Sequence, residues 1–255
     1  MNVKSKFSIN GKSITSLGSP QQDFINHLFA ELNGTPSLDT ITGIIFMSGQ
    51  NQMDSIPDNG AWNPTSTSVR VSGYYTPSTS YTLDGVMITT ANGYKYFYTA
   101  LQNPVNVTGG IEVEFEWDLM FGVNRISTGG FLSNMTLNMN GLFTAIASIL
   151  AQGRSNAYPN GISLKPSKAV VIASDGSTVI AESDKITITP DSTTYQITYE
   201  TGDMVITKTT IDKEYISKID LVDTISNINL IEWNYVQYEF VNVNDIVRVK
   251  FTLQV

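Results

Sequence analysis

The chain carries an internal repeat, and this constrains its fold more than any local pattern does, because both halves must then solve one packing problem with one order of elements. Residues 81–88 align with residues 215–222, and residues 106–115 align without a gap with residues 242–251. Upstream, residues 43–48 correspond to residues 169–174, and helical stretches at 24–32 and 143–150 precede these segments in each half. The offset drifts from about 120 to about 136, as unequal loops would make it, while the order is unchanged.

Each repeat reads as one helix followed by at least five strands. In the first, Ser19 is a good N-cap with Pro20 at the first helical position. Phe24, Leu28 and Leu32 recur at helical spacing before Asn33-Gly34 ends the run. In the second, Asn138 or Asn140 can cap a helix whose Leu142, Phe143, Ile146, Ile149 and Leu150 form a broad apolar face, with Gly153 just past its end. Alternating segments follow at 69–75, 83–89, 94–101 and 111–120, and again at 195–201, 219–225, 230–240 and 246–255. Their spacing of roughly 10 to 15 residues suits a β-sandwich and is too short for the crossover helices of a parallel sheet. The expected fold is therefore mainly β: two tandem β-sandwich domains, 1–127 and 128–255, each opened by one α-helix.

Composition narrows the chemistry. The 255 residues include no Cys and one His, which removes thiol nucleophiles, Cys-ligated zinc, disulfides and any multi-His metal site within one chain. With 15 Lys and Arg against 23 Asp and Glu the net charge is −8, and no basic block stands ready for phosphates, so no nucleic-acid partner is expected. The charge divides evenly at −4 per half, so neither domain is specialised as a charged partner surface. Residues 1–10 hold no apolar run long enough for a Sec signal core, and no stretch reaches the length of a membrane span. No cofactor is expected, and the nucleotide-loop, nucleophile-elbow and zinc-helix motifs are absent from the sequence.

Four sets of residues are candidates for a ligand or an interface. Glu112, Glu114, Glu116 and Asp118 alternate with Val113, Phe115, Trp117 and Leu119, which puts four acids on one strand face. Such a face is ordinarily a solvated cover over a core; its functional reading is a Ca²⁺ or basic-partner site. The equivalent strand carries Arg248 and Lys250 instead, a sign reversal that could let opposite faces meet in a homo-oligomer. The long non-periodic segment 49–68 holds Asn51, Asp54, Asp58, Asn59, Trp62 and Asn63. Its acids and amides could bind Ca²⁺ and Trp62 could stack on a sugar, or it is a plain exposed or intersubunit loop. A tyrosine cluster, Tyr74, Tyr75, Tyr81, Tyr94, Tyr96 and Tyr98, suits an interface and suits core packing better. His27, alone on its helix, has no nucleophile or motif beside it.

A leaderless, Cys-free, low-charge chain of two tandem β-sandwich repeats, ending each time in a turn and a long alternating strand, resembles the jelly-roll-like structural proteins of bacterial and archaeal viruses: capsid, penton, turret or spike subunits. The resemblance is one of pattern over most of the chain, and no residue role is carried over from it. It implies a non-enzymatic subunit of a symmetric virion assembly, made in the host cytoplasm and partnered by itself and by other virion proteins, with a host surface glycan as a further candidate partner. The alternative is a carbohydrate- or receptor-binding β-sandwich module, with Trp62 as its first contact.

Overall fold

The computed structural model describes residues 2–10, 12–16, 18–57, 62–64, 68–122, 124–128, 135–209, 214–235 and 240–255. The protein is mainly β, with 54% strand against 13% helix, and its described strand pairings are antiparallel.

In chain order the first half contains β1 (Asn2–Ile9), β2 (Lys12–Ser16), β3 (Ser19–Pro20), α1 (Gln22–Leu32), β4 (Ile41–Ser48), β5 (Asn51–Pro57), β6 (Trp62–Pro64), β7 (Ser68–Tyr75), β8 (Tyr81–Thr90), β9 (Lys95–Val107) and β10 (Val113–Gly122). They build two five-stranded sheets, β2-β1-β10-β7-β6 and β3-β9-β8-β4-β5. Each sheet turns an apolar set inward, Val69, Val71, Phe115, Trp117 and Leu119 from one, Ile44, Phe46, Leu83, Val86 and Ile88 from the other. Phe46 of β4 stacks on Tyr75 of β7 at 4.0 Å between ring centroids and meets the edge of Phe115 of β10, so the two sheets pack face to face.

The second half contains β11 (Asn124–Thr128), β12 (Met135–Asn138), α2 (Asn140–Gln152), α3 (Arg154–Ala157), β13 (Lys168–Ala173), β14 (Val179–Ser183), β15 (Ile186–Asp191), β16 (Gln196–Thr201), β17 (Met204–Val205), β18 (Glu214–Asp223), β19 (Ile228–Tyr235), β20 (Phe240–Val241), β21 (Ile246–Val247) and β22 (Lys250–Gln254). Its sheets run β11-β22-β16-β15 and β12-β19-β18-β13-β14, with β20 added beside β18 and a separate β17-β21 pair. Phe251 of β22 stacks on Tyr199 of β16 and meets Trp233 of β19 at 4.6 Å, which joins these two sheets through their inner faces.

Strand order recurs between the halves. β1-β10-β7-β6 matches β11-β22-β16-β15, and β3-β9-β8-β4-β5 matches β12-β19-β18-β13-β14, with the main helix at the same place in the chain. Residue register is another matter. Ile44 and Phe46 are buried on β4, whereas Ala169 and Val171 take that place on β13; Leu83, Val86 and Ile88 on β8 match Ile216, Ile219 and Leu221 on β18. The alignment of 43–48 with 169–174 and of 81–88 with 215–222 is therefore one residue out, and in a strand a one-residue slip exchanges the two faces.

The expectation that a helix opens each half is corrected, because β1, β2 and β3 precede α1 and β11 and β12 precede α2. Ser19 is not the N-cap: Ser19-Pro20 pairs with Tyr98 and Phe97 at the edge of its sheet, where a proline's missing N–H costs no ladder bond. The end of α1 is as read, since Gly34 adopts φ 96° and the Thr35 N–H reaches the Ala30 carbonyl, the six-to-one bond of a Schellman cap. At α2 the Asn138 Oδ1 accepts from the Asn140 N–H. Leu142, Phe143, Ala145, Ile146, Ala147, Ile149 and Leu150 are all buried, more than one stripe of the helix.

The chain forms two compact units, Met1–Leu28 with Ser37–Gly122 and Phe143–Pro159, and Phe29–Pro36 with Val123–Leu142 and Asn160–Val255. Position 127/128, the expected boundary, lies at the end of β11, which pairs with β22 of the second unit.

Candidate functional site

The acid stripe sits on the outer face of the β1-β10-β7 sheet. Alternation puts Phe115 and Trp117 inward, and Glu114, Glu116 and Asp118 outward, while Glu112 precedes the strand. Arg70 of β7 is directly opposite Asp118 and donates to both of its carboxylate oxygens at 2.7 and 2.9 Å, with Glu116 at 4.0 Å. The Tyr74 hydroxyl approaches Glu114 at 3.4 Å. Across on β1 the backbone register sets Lys6 opposite Asp118. The Arg70 guanidinium and the Tyr74 hydroxyl already occupy this face, as expected of a charge-balanced sheet surface. Among the described residues no group of three or more His, Asp or Glu side chains is placed to hold a metal ion.

Arg248 and Lys250 are likewise engaged within the chain, Arg248 with Asp203 and Lys250 with Glu200 at 2.9 Å. Facing of the two charged strands between copies would have to displace these pairs.

Segment 49–68 is not one loop, for it contains β5 and β6. β5 is the edge strand of its sheet and reads Asn-Gln-Met-Asp-Ser-Ile-Pro, a polar run without the alternation by which a strand announces itself. Asp54 stands opposite Phe46 and accepts from the Ser78 hydroxyl at 3.0 Å. The Trp62 backbone pairs with Val71, and Asp58 and Asn59 lie outside the described residues.

The tyrosines divide. Tyr75, Tyr81 and Tyr96 are buried, whereas Tyr74 and Tyr94 are exposed. Tyr75 and Tyr81 share a hydrogen bond of 3.3 Å between hydroxyls, and burial, with Tyr75 beside it, drives the Tyr81 phenol far above its ordinary range. Tyr96 is the extra residue of a bulge in β9, since Ile88 pairs with Phe97 and Thr89 with Lys95, which lets Tyr96 and Phe97 both turn inward onto Phe24 of α1. Its hydroxyl accepts from the Asp39 N–H at 2.8 Å and shares a hydrogen bond of 2.7 Å with His27 Nδ1. His27 thus serves to seat α1 on the sheet.

Two groupings escaped the sequence reading. On β18, β19 and β12, Asp220 Oδ2 accepts from Lys218 Nζ at 2.8 Å and from the Asn229 amide at 3.0 Å, and Glu232 accepts from the Asn138 amide at 2.9 Å. Asp220 is 2% exposed, its Oδ1 is buried without a partner, and burial raises its pKa although Lys218 pulls the other way. The members span nearly a hundred residues of chain, so spacing could not signal them; only the register Asp220 to Glu232 to Asn138 brings them together.

The second grouping is apolar. Val205 of β17 pairs with Ile246 of β21, Val243 lies in the turn just before, and Phe240 leads into that turn. They are 41%, 56%, 48% and 64% exposed. Val205 also borders a groove of about 500 Å³ lined by Val179, Ile180, Ala181, Glu182, Asp203, Thr207 and Lys208. Among the described residues β17 and β21 appear only in the second half, whereas β20 takes the place of the end of β9, since Val241 pairs with Glu214 at the start of β18 as Val107 pairs with Tyr81 at the start of β8. No protein-family model, curated protein or solved structure matches the chain.

Proposed function

We propose that the protein is a non-enzymatic structural subunit of a symmetric assembly, a virion protein of the capsid, penton, turret or spike kind, built from two jelly-roll-like domains. The observation that carries the reading is a sandwich strand order present twice, with Val205, Phe240, Val243 and Ile246 of the second half exposed. In each half the first strand lies beside the last, and an early strand of the other sheet lies beside the one that precedes it, β1 with β10 and β3 with β9. That nesting of chain ends supports the jelly-roll-like description, while hairpins kept within one sheet, such as β8-β9, depart from a pure roll.

The charged residues fit the same reading. Arg70, Arg248, Lys250 and Lys218 each bind a carboxylate of their own chain, which leaves assembly to apolar and uncharged surface. Among the described residues no helix is long and apolar enough to cross a membrane. Mass spectrometry of purified particles, together with sedimentation of the isolated chain, tests the proposal. Presence in stoichiometric amounts in particles is expected; absence from particles in a chain that binds a defined glycan would replace it with the binding-module reading.

A further inference from the structure

We infer that Asn160 is a site of self-catalysed deamidation in the folded protein, converted by the backbone nitrogen of Gly161 to a mixture of aspartate and isoaspartate. The inference goes beyond the assembly reading and does not depend on it.

The chain has six Asn-Gly steps, beginning at Asn10, Asn33, Asn59, Asn92, Asn140 and Asn160, and by sequence all are open to the same chemistry. A glycine has no β-carbon to crowd the nitrogen that must attack. The structure separates the steps. Gly11 and Gly60 lie outside the described residues. The Gly34 N–H donates to the Glu31 carbonyl at 3.0 Å in the cap of α1, and the Gly93 N–H donates to the Thr90 carbonyl at 2.9 Å. Each of these nitrogens must give up a hydrogen bond before it can act. Asn140 is the first residue of α2, and Gly141 is pressed so closely on the Asn229 carbonyl oxygen that a β-carbon would lie 1.9 Å from it, which leaves no room for a ring to close there.

Asn160-Gly161 has none of these restraints. α3 ends at Ala157, and Pro159 has no N–H with which to continue a helix, so the chain turns. Asn160 is exposed, and among the described residues neither its carboxamide nor the Gly161 N–H is held by a hydrogen bond of ordinary length and angle. Gly161 sits at φ 90°, where glycine is favoured, and a β-carbon there would meet Ile225 Cγ2 at 3.3 Å. The turn itself thus calls for the residue that leaves the nitrogen uncrowded. Beyond it Ile162 and Leu164 are buried and the Ser163 N–H donates to Asp223 at 3.2 Å, so the free nitrogen and the free carboxamide are neighbours in a turn anchored at its exit.

In the reaction the Gly161 nitrogen, its proton taken by water, forms a bond to Asn160 Cγ. The bond from Cγ to the side-chain nitrogen breaks, and that nitrogen leaves as ammonia. The cyclic imide then takes up one water. Opening at the former side-chain carbonyl gives aspartate; opening at the main-chain carbonyl gives isoaspartate. Each converted copy adds a negative charge to a chain of net charge −8, and isoaspartate also lengthens the main chain by a methylene between Pro159 and Ile162.

The test uses the full chain. Folded wild type and wild type unfolded in urea are incubated side by side at mildly alkaline pH and digested under mildly acidic conditions. Each Asn-Gly peptide is followed over time by mass spectrometry, with isoaspartate separated from aspartate by chromatography. In the folded chain the Asn160 peptide is expected to convert about tenfold or more ahead of those of Asn33, Asn92 and Asn140, as the net worth of one hydrogen bond implies. Isoaspartate should be among its products, and in urea the four rates should converge. Asn160→Gln, checked for an unchanged circular dichroism melt, should leave this peptide unconverted, because the longer side chain closes its ring far more slowly. If the folded chain converts Asn33, Asn92 or Asn140 as fast as Asn160, or keeps Asn160 intact while the unfolded chain converts it, the inference is overturned. Conversion of Asn160 to aspartate alone would mean direct hydrolysis by water and would overturn the role given to Gly161.

Discussion

At the scale of single residues, the backbone decides more than side-chain identity does. Gly141 lies in the first turn of α2, and a β-carbon there would overlap the Asn229 carbonyl oxygen, a main-chain atom that cannot swing aside. Gly141→Ala should therefore cost about 2–3 kcal/mol, read as a fall in melting temperature of roughly 5–10 °C; an unchanged melt would show that the hairpin gives way easily. Carboxylates act in opposite directions with pH. The Thr178 hydroxyl and N–H, with the Ser177 N–H, hold Asp175 at about 2, so its contribution is present above its ordinary value of 3.8 and is lost as pH falls toward 2. Asp220 is raised by burial, so its contribution is largest below its unfolded value and declines as pH rises through its folded one. Chemical denaturation at a series of pH values should show Asp175→Ala flattening the acid limb of the stability profile and Asp220→Asn steepening it. The same slope for both variants would contradict these assignments.

At the scale of elements, what was legible is what repeats with a period. β7, β8 and β10 alternate and were found within two residues of their observed ends, as was the end of α1 at Asn33-Gly34, while β9 runs on to Val107, six residues past the expected end. β3, β5 and β12 were not read, because they are short or polar, and a strand of two to seven residues at a sheet edge is made by its neighbour's register and not by its own pattern. The bulge at Tyr96 illustrates the cost of such irregularity. It turns a hydroxyl inward, where that group must serve the Asp39 N–H and His27 together. Tyr96→Phe should destabilise by about 1–2 kcal/mol through the unpaired Asp39 N–H, whereas His27→Gln, which can still accept, should cost less. Equal losses in the two variants, measured by urea titration, would show that the ring contacts matter more than the hydroxyl.

At the scale of the whole molecule, the repeat is real as an order of strands but does not cut the chain at one point. The first compact unit includes Phe143–Pro159 from the second half, with Phe143, Ile146, Ile149 and Leu150 buried, and the second includes Phe29–Pro36 from the first. Residues 1–127 and 128–255 expressed separately should each lack cooperative melting, and co-expression should recover a soluble, folded pair. Two sharply melting halves would mean that each completes its core without the segment supplied by the other.

The sequence by itself determined the class, and of the order only the later strands that follow each helix. Periodicity of two in the long strands, one helix ahead of them in each half and gaps too short for crossovers left an antiparallel, mainly β chain with an internal repeat, because alternation and helical spacing are local properties that each segment carries alone. Only the tertiary structure decided which face of each strand is inward, who neutralises Glu116, Asp118, Arg248 and Lys250, and how Asp220, Glu232 and Asn138 come together. These depend on register between strands tens of residues apart, where one residue of slip exchanges buried for exposed, and the sequence carries no local signal of that choice.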